Sequence, residues 1–157
     1  MKPLPDHECQ LGGWFVMRQA AMQVRDAVFV QEQGFTPQEE YDELDADALH
    51  MVIRLPDGAV IATARLLQEP VAADEPPTGR IGRVAVLKEW RGQGWGRMLL
   101  LVLQDEAQQR GDQRLVLGAQ QVAAPFYARL GYQPTPYTYD EGGIPHVQMV
   151  LDMTKPS

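Results

Sequence analysis

The segment Arg91-Gly92-Gln93-Gly94-Trp95-Gly96-Arg97 places three glycines and two arginines within seven residues. It follows Val84-Ala85-Val86-Leu87, a β-prone run, and precedes the unbroken apolar stretch Met98 to Leu103. The pattern reads as a strand, a tight turn and the start of a helix. A helix start carries backbone N–H groups with no partner inside the helix, and the dipole adds about half a positive charge there. Glycines let a backbone approach a ligand closely, and Arg91 and Arg97 can add charge-assisted bonds. The expected chemistry is the holding of a phosphate or pyrophosphate. Neither the Walker pattern nor the dinucleotide fingerprint G-x-G-x-x-G is present. The plain alternative is a tight turn without a ligand, but the glycines and arginines exceed what a turn requires.

A second cluster is Ala123-Ala124-Pro125-Phe126-Tyr127-Ala128-Arg129-Leu130-Gly131-Tyr132. A phenol, with a pKa of about 10, makes Tyr127 a candidate proton donor; the plain reading is an aromatic packed under the sheet, which suits Phe126 better. Candidate bases are Glu32, His50 and His146, acting directly or through water. A hydrogen-bonded structural histidine is an equal reading for His146, and positioning of the reactants without a base is another. The three histidines and Cys9 match no metal-ligand spacing, so no metal is expected.

Together these segments resemble the GNAT superfamily of acyl-CoA-dependent N-acyltransferases. Arg91-Gly92-Gln93-Gly94-Trp95-Gly96 resembles the family's Arg/Gln-x-x-Gly-x-Gly/Ala turn, whose amides hold the pyrophosphate of acetyl-CoA. The segment around Phe126 and Tyr127 resembles the family's Ala-x-x-Phe-Tyr-x-x-x-Gly-Phe/Tyr, in which the tyrosine hydroxyl lies beside the CoA sulfur. Arg25 to Gln33, His50 and Gly143-Ile144-Pro145-His146 are similar to the ElaA-like branch. The resemblance implies acetyl-CoA as co-substrate, held by Val84, Ala85, Val86, Arg91, Gly92, Gln93, Gly94, Trp95, Gly96, Arg97 and Phe126. Tyr127 would be the catalytic acid, an N–H near Ala85 and Val86 the oxyanion donor, and Glu32 and His146 the acceptor-side residues. The implied reaction transfers an acetyl group to the amine of a small molecule or a peptide N-terminus, by direct attack in a ternary complex. A silent acyl-CoA-binding sensor is the alternative. An acyl-homoserine-lactone-type synthase is a third reading, suggested only by the segment Arg25 to Phe29.

The elements that must position these residues follow from periodicity and punctuation. Trp14 to Met17 reads as a first strand and Ala20 to Gln31 as a helix, with Met22, Arg25, Val28 and Phe29 on one face. From Glu39 to Asp47 six of nine residues are acidic. That segment is either a solvated loop or short helix, or a rim attracting an ammonium group. His50–Leu55 and Ala59–Leu67 flank Pro56-Asp57-Gly58 and predict a hairpin. Glu69 to Gly79 is a loop, with three prolines. After the central strand and its helix, closed by Gly111, come a strand at Arg114–Gly118 and a helix at Gln121–Leu130. Strands at Tyr132–Tyr139 and Ile144–Met153 end the series. The order β-α-β-β-β-α-β-α-β-β predicts an α+β chain. The resemblance adds a mixed, mostly antiparallel sheet, splayed at its centre between Val84–Val86 and Leu115–Leu117, with flanking helices.

At 157 residues the chain is expected to be a single domain. A net charge of −7 argues against nucleic acid as a partner. One cysteine cannot form an internal disulfide, residues 1–8 lack a signal-peptide core, and no apolar run reaches the ~20 residues of a membrane span. These features predict a cytoplasmic protein without a membrane partner; a homodimer is left open. Residues 1–10 are expected to be loose.

Overall fold

The structure, a computed structural model, describes residues 3–40 and 42–155. Met1, Lys2 and Tyr41 lie outside them, so the loose start and the acidic segment are assessed on the remaining residues. The described elements are β1 (Glu8–Gly12), α1 (Trp14–Arg25) running on into a π-helical turn (Asp26–Glu32), and the short α2 (Pro37–Glu40). A 3₁₀ turn (Glu43–Asp47) leads to β2 (Leu49–Arg54), β3 (Val60–Gln68) and β4 (Thr78–Val86). Then follow α3 (Trp95–Gln109), β5 (Arg114–Gln120), α4 (Ala124–Arg129), β6 (Gln133–Glu141) and β7 (Ile144–Asp152).

The seven strands form one sheet in the order β1-β2-β3-β4-β5-β7-β6. Every adjacent pair is antiparallel except β4 and β5. The predicted α+β class, with a mostly antiparallel sheet and flanking helices, is what the chain adopts. On one face α3 buries Trp95, Leu99, Leu100, Leu103 and Ala107 against Met51, Ile53, Leu66, Ile81, Leu115 and Leu117. This is the helical stripe that the run from Met98 foreshadows. On the other face α1 lays Met17, Ala21 and Val24 on Val52, Val60 and Ala85.

Two local expectations at the N-terminus are overturned. Trp14–Met17 opens α1 instead of forming a strand: Phe15 and Val16 are 98% and 77% exposed, Met17 is buried in the core and Trp14 packs half-buried against it. The face that counts is Met17, Ala21, Val24, Arg25 and Val28, a 3.6-residue period that four consecutive apolar residues concealed. The first strand is instead Glu8–Gly12, within the stretch expected to be loose. Its sequence carries little strand propensity, and the free edge of β2 orders it, from Glu8↔Arg54 to Gly12↔His50.

The sheet splits where expected, but further along β5. The β4–β5 ladder runs from Thr78↔Arg114 to Ile81↔Leu117 and stops. Leu115–Leu117 is therefore the paired part, and the opening lies between residues 82–86 and 118–120. A bulge in β4 causes the divergence. On β3, Thr63 pairs with Ala85 and Arg65 with Gly82, so β4 carries an extra residue. Arg83 absorbs it at φ +50°, the only non-glycine residue with positive φ among those described. Such a conformation costs on the order of 1–3 kcal/mol and persists only when its surroundings enforce it.

Candidate active site

The opening between the diverged strands is a cavity of about 410 Å³. Val84, Ala85, Val86 and Arg91 line it from one strand and its turn, and Leu117, Gly118 and Gln120 from the other. Tyr127 enters from α4, Phe29 and Gln33 from the π-helical turn, and Tyr139, Glu141 and His146 from β6 and β7.

At one end stands the glycine turn. Gly94 adopts φ +106° directly before α3 and offers no side-chain cap, so the first amides of α3 have no partner supplied by the helix or its cap. A glycine is needed there because other residues resist the left-handed region. Phe126 packs on Gly96, where a Cβ would come within 3.2 Å of its ring. Arg97 and Gln93 are exposed. The indole of Trp95 is 1% exposed and sits in the core, so this residue can serve a ligand only through its backbone. Arg91 is already engaged: its Nε donates to the Val86 carbonyl at 2.9 Å, and its two terminal nitrogens donate to Glu32, each at 2.6 Å. The turn can hold a diphosphate through the uncapped amides at the start of α3 and Arg97, which is exposed and has no ion-pair partner among the described residues, with Arg91 as a second cation after rearrangement.

Tyr127 is buried and meets Phe126 edge-on at 5.0 Å and Tyr132 at 6.0 Å. Burial pushes its phenol up to about 12, which keeps the proton on oxygen at neutral pH. Phe126 is only half-buried, the reverse of the packing role expected for the pair.

The three candidate bases separate on geometry. Glu32 is held by Arg91, and that pairing draws its carboxyl below the usual range, so it is a poor proton acceptor. It is also absent from the cavity lining. His50 is 1% exposed beneath Trp14, with ring centroids 4.7 Å apart, and its Nε2–H donates to the Asp45 carbonyl at 2.8 Å. Burial lowers its pKa. His146 alone of the three lines the cavity. A carbonyl can only accept, so the 2.7 Å contact with the Ile144 carbonyl places a proton on Nδ1, and in the neutral ring Nε2 is then the acceptor nitrogen. Tyr139 stacks on His146 at 5.2 Å and reaches Gly118, close enough to leave no room for a side chain there. Gln120, His146 and Tyr139 form one cross-strand row, and the Gln120 amide nitrogen donates to Gln33 at 2.9 Å, tying that row to the π-helical turn.

The acidic segment is solvated only in part. Glu39, Glu43 and Asp47 are exposed, as a short helix or loop facing water would have them. Glu40 and Asp45 are buried and Asp42 is half-buried among arginines of the protein itself. Arginines from α1, β3 and β4 enter it. Arg25 contacts Glu40 directly and clasps Asp45 with bonds of 2.8 and 3.0 Å. Arg65 grips Asp42 at 2.7 and 2.9 Å and Asp45 at 2.8 Å. Arg83 reaches the Glu40 carbonyl at 3.0 Å and Asp42 at 3.2 Å. Arg65 holds the Asp42 carboxyl low; at Asp45 burial works upward but Arg25 and Arg65 overcome it. Sequence reading missed these arginines as a group. The available signal was an acidic run with no nearby basic residues, alongside arginines inside otherwise apolar segments.

Among the described residues no group of three or more His, Cys, Asp and Glu could hold a metal, and no described helix is long and apolar enough to cross a membrane.

Comparison with known proteins agrees with this architecture. Residues 18–153 match the family described as acetyltransferase (GNAT) domain. The chain is 34% identical over 137 residues to the uncharacterized N-acetyltransferase YjcF of Bacillus subtilis, covering 84% of this chain and 90% of that one. The crystal structure of Escherichia coli ElaA superposes with a TM-score of 0.77 at 30% identity, covering 94% and 100% of the two chains. An acyl-CoA N-acyltransferase from Pseudomonas aeruginosa gives 0.77 at 31%, covering 93% and 99%. With the sheet split beside β4, the glycine turn leading into α3 and the family match over most of its length, the chain belongs to the GNAT acetyltransferase superfamily.

Proposed function

We propose that the chain is one catalytic domain of the ElaA-like branch, an acetyl-CoA-dependent N-acetyltransferase acting on the amine of a small molecule or a peptide N-terminus. The observation that carries the reading is the end of the β4–β5 ladder after Ile81 and Leu117, which opens a cavity lined by Arg91 of the glycine turn, Tyr127 and His146. Acetyl-CoA supplies the acyl group as a thioester, which the acceptor nitrogen takes as the thiol is released. The amides around Gln93 to Gly96, with Arg97 and a released Arg91, hold its diphosphate. The free edge of β4 from Val84 to Val86 offers backbone groups to an extended chain, as to an added strand, and an N–H there faces developing negative charge. His146 Nε2 takes the proton that the acceptor amine must lose, and the Tyr127 hydroxyl provides a proton at the sulfur.

Burial raises the Tyr127 phenol to about 12, so it stays protonated and is held ready as a hydrogen-bond donor to the sulfur. The same burial makes full proton transfer to a thiolate of about 8.5 harder. Tyr127→Phe should lower turnover by roughly 10²–10⁴ with acetyl-CoA affinity nearly unchanged. Full turnover in that variant would remove Tyr127 from the reaction. Thermal stabilisation by acetyl-CoA without thiol release from any amine would favour the sensor reading.

A further inference from the structure

We propose that the acyl acceptor carries a carboxylate beside its amine, and that Arg83 is the residue that holds it. The inference rests on the acetyl-transfer reading above and specifies the substrate class.

Arg83 sits at the bulge that opens the sheet, it is one of the residues lining the cavity, and its side chain is 19% exposed. The positive φ at this position redirects the side chain relative to a regular strand. A guanidinium has five N–H donors. Two are committed, Nε to the Glu40 carbonyl and one Nη2 hydrogen to Asp42. Among the described residues, Nη1 and the second Nη2 hydrogen have no acceptor, and together they form one edge of the fork that receives a carboxylate in parallel bonds.

The neighbouring acids do not satisfy that edge, because other arginines hold them more closely. Arg25 contacts Glu40 directly, whereas the Glu40 carboxylate is 3.7 Å from Arg83 Nε. Arg65 takes both oxygens of Asp42 at 2.7 and 2.9 Å, and Arg83 reaches one of them at 3.2 Å. Of the three arginines in the cluster, Arg83 is the least compensated. Burial and the nearby Arg65 push its pKa down, while Asp42 and Asp45 raise that of Arg65 against its burial. Arg80 also lines the cavity, but it is paired with Glu69.

Glu39, Glu40 and Asp42 also line the cavity, the last two engaged by the arginines above, and a further carboxylate stands at its β6–β7 wall. There His146 Nε2 and the Glu141 carboxylate stand 3.9 Å apart. The Tyr139 ring stacks on His146 at this wall; its phenol is raised first by burial and then by Glu141, and lowered by Arg80 and Arg83. A zwitterion can place its ammonium toward Glu141 and His146 and its carboxylate on Arg83. A cavity of about 410 Å³ admits an acceptor the size of an amino acid beside the thioester end of the coenzyme.

Matched probes test this. Thiol release from acetyl-CoA is measured with L-phenylalanine against phenethylamine and with L-leucine against isoamylamine. In parallel, thermal shifts are recorded with N-acetyl-L-phenylalanine against N-acetylphenethylamine. We expect kcat/KM about 10²-fold higher for the carboxylate member of a pair, and stabilisation by the carboxylate-bearing product alone. Arg83→Gln should collapse the ratio to about threefold and abolish that thermal shift, and Arg83→Lys should restore part of both by keeping a point charge. Equal or better turnover of the decarboxylated amines overturns the inference while leaving acetyl transfer intact. If neither kind of amine, nor any member of a wider amine panel that includes a peptide N-terminus, releases thiol although acetyl-CoA still raises the Tm, the acetyl-transfer reading fails, and this inference with it. Should Arg83→Gln not fold, the pairwise ratio on the unaltered protein decides.

Discussion

At one end of the cleft, seven consecutive residues from Arg91 to Arg97 present backbone amides at a helix start. At the other, six charged side chains from Arg25 to Arg83 interlock across α1, α2, a 3₁₀ turn, β3 and β4. The first end is contiguous, and the role proposed for it resides in the main chain. The second is dispersed, and it depends on each charge meeting a particular partner in a buried setting. The difference implies that the two ends fail differently. Damage to the turn should remove ligand binding and spare the fold, whereas damage to the charge cluster should remove stability first.

The sharpest contrast is Asp45→Ala. It strips Arg25 and Arg65 of their shared carboxylate inside the protein, and breaking a buried pair from one side costs about 3–5 kcal/mol. Denaturant unfolding should show that loss. Little loss would mean the cluster is less coupled than its geometry implies.

Gly94→Glu is the counterpart at the turn. It forces a side chain into φ +106° and sets a carboxylate beside the diphosphate site. Acetyl-CoA affinity measured by calorimetry should fall about 10²-fold, close to 2.7 kcal/mol, with a smaller loss of stability from backbone strain, on the order of 1–2 kcal/mol. The comparison breaks if stability takes the larger loss.

Arg91→Gln probes the join between the two ends, since Arg91 links the turn to Glu32. The pair is partly solvent-exposed, so stability should change by only about 0.2–1 kcal/mol. Coenzyme affinity should fall if Arg91 turns to the diphosphate, and an unchanged affinity would confine Arg91 to its ion pair.

The smallest effect expected is a pH dependence from His50. Burial depresses its folded pKa below the unfolded value of about 6.5. The unfolded chain therefore binds more protons as pH falls below that value, and stability declines from there down to the lower folded pKa. Asp42 and Asp45, also depressed, add a separate loss below their unfolded value of about 3.9. Unfolding curves between pH 7 and 5 should show the histidine slope, and His50→Gln should flatten it.

How much could be read in advance follows from the same contrast. The hairpin around Asp57-Gly58, the strand–turn–helix at Val84 to Leu103 and the alternation in β7 were legible because each is local: turn chemistry and periodicity are fixed by neighbours in sequence. The error at Trp14–Met17 arose because four consecutive apolar residues satisfy strand and helix equally, and only packing on Val52 and Val60 chooses. β1 was invisible because its order comes from the edge of β2. The acidic segment was legible only in part because its counter-charges lie at 25, 65 and 83, and no short-range rule joins them. Among the candidate bases, Glu32 and His146 were indistinguishable until the fold bound one to Arg91 and turned the other into the cavity.

By itself the sequence determined most elements from β2 onward, the helix-start amides of the glycine turn and the tyrosine next to Phe126, because these depend on residues within a few positions of one another. Only the tertiary structure decided where the sheet parts, which arginine keeps donors to spare and which histidine faces the cleft. Those outcomes are set by an extra residue in one strand measured against its neighbour, and by competition among charges that meet only once the sheet and α1 have packed.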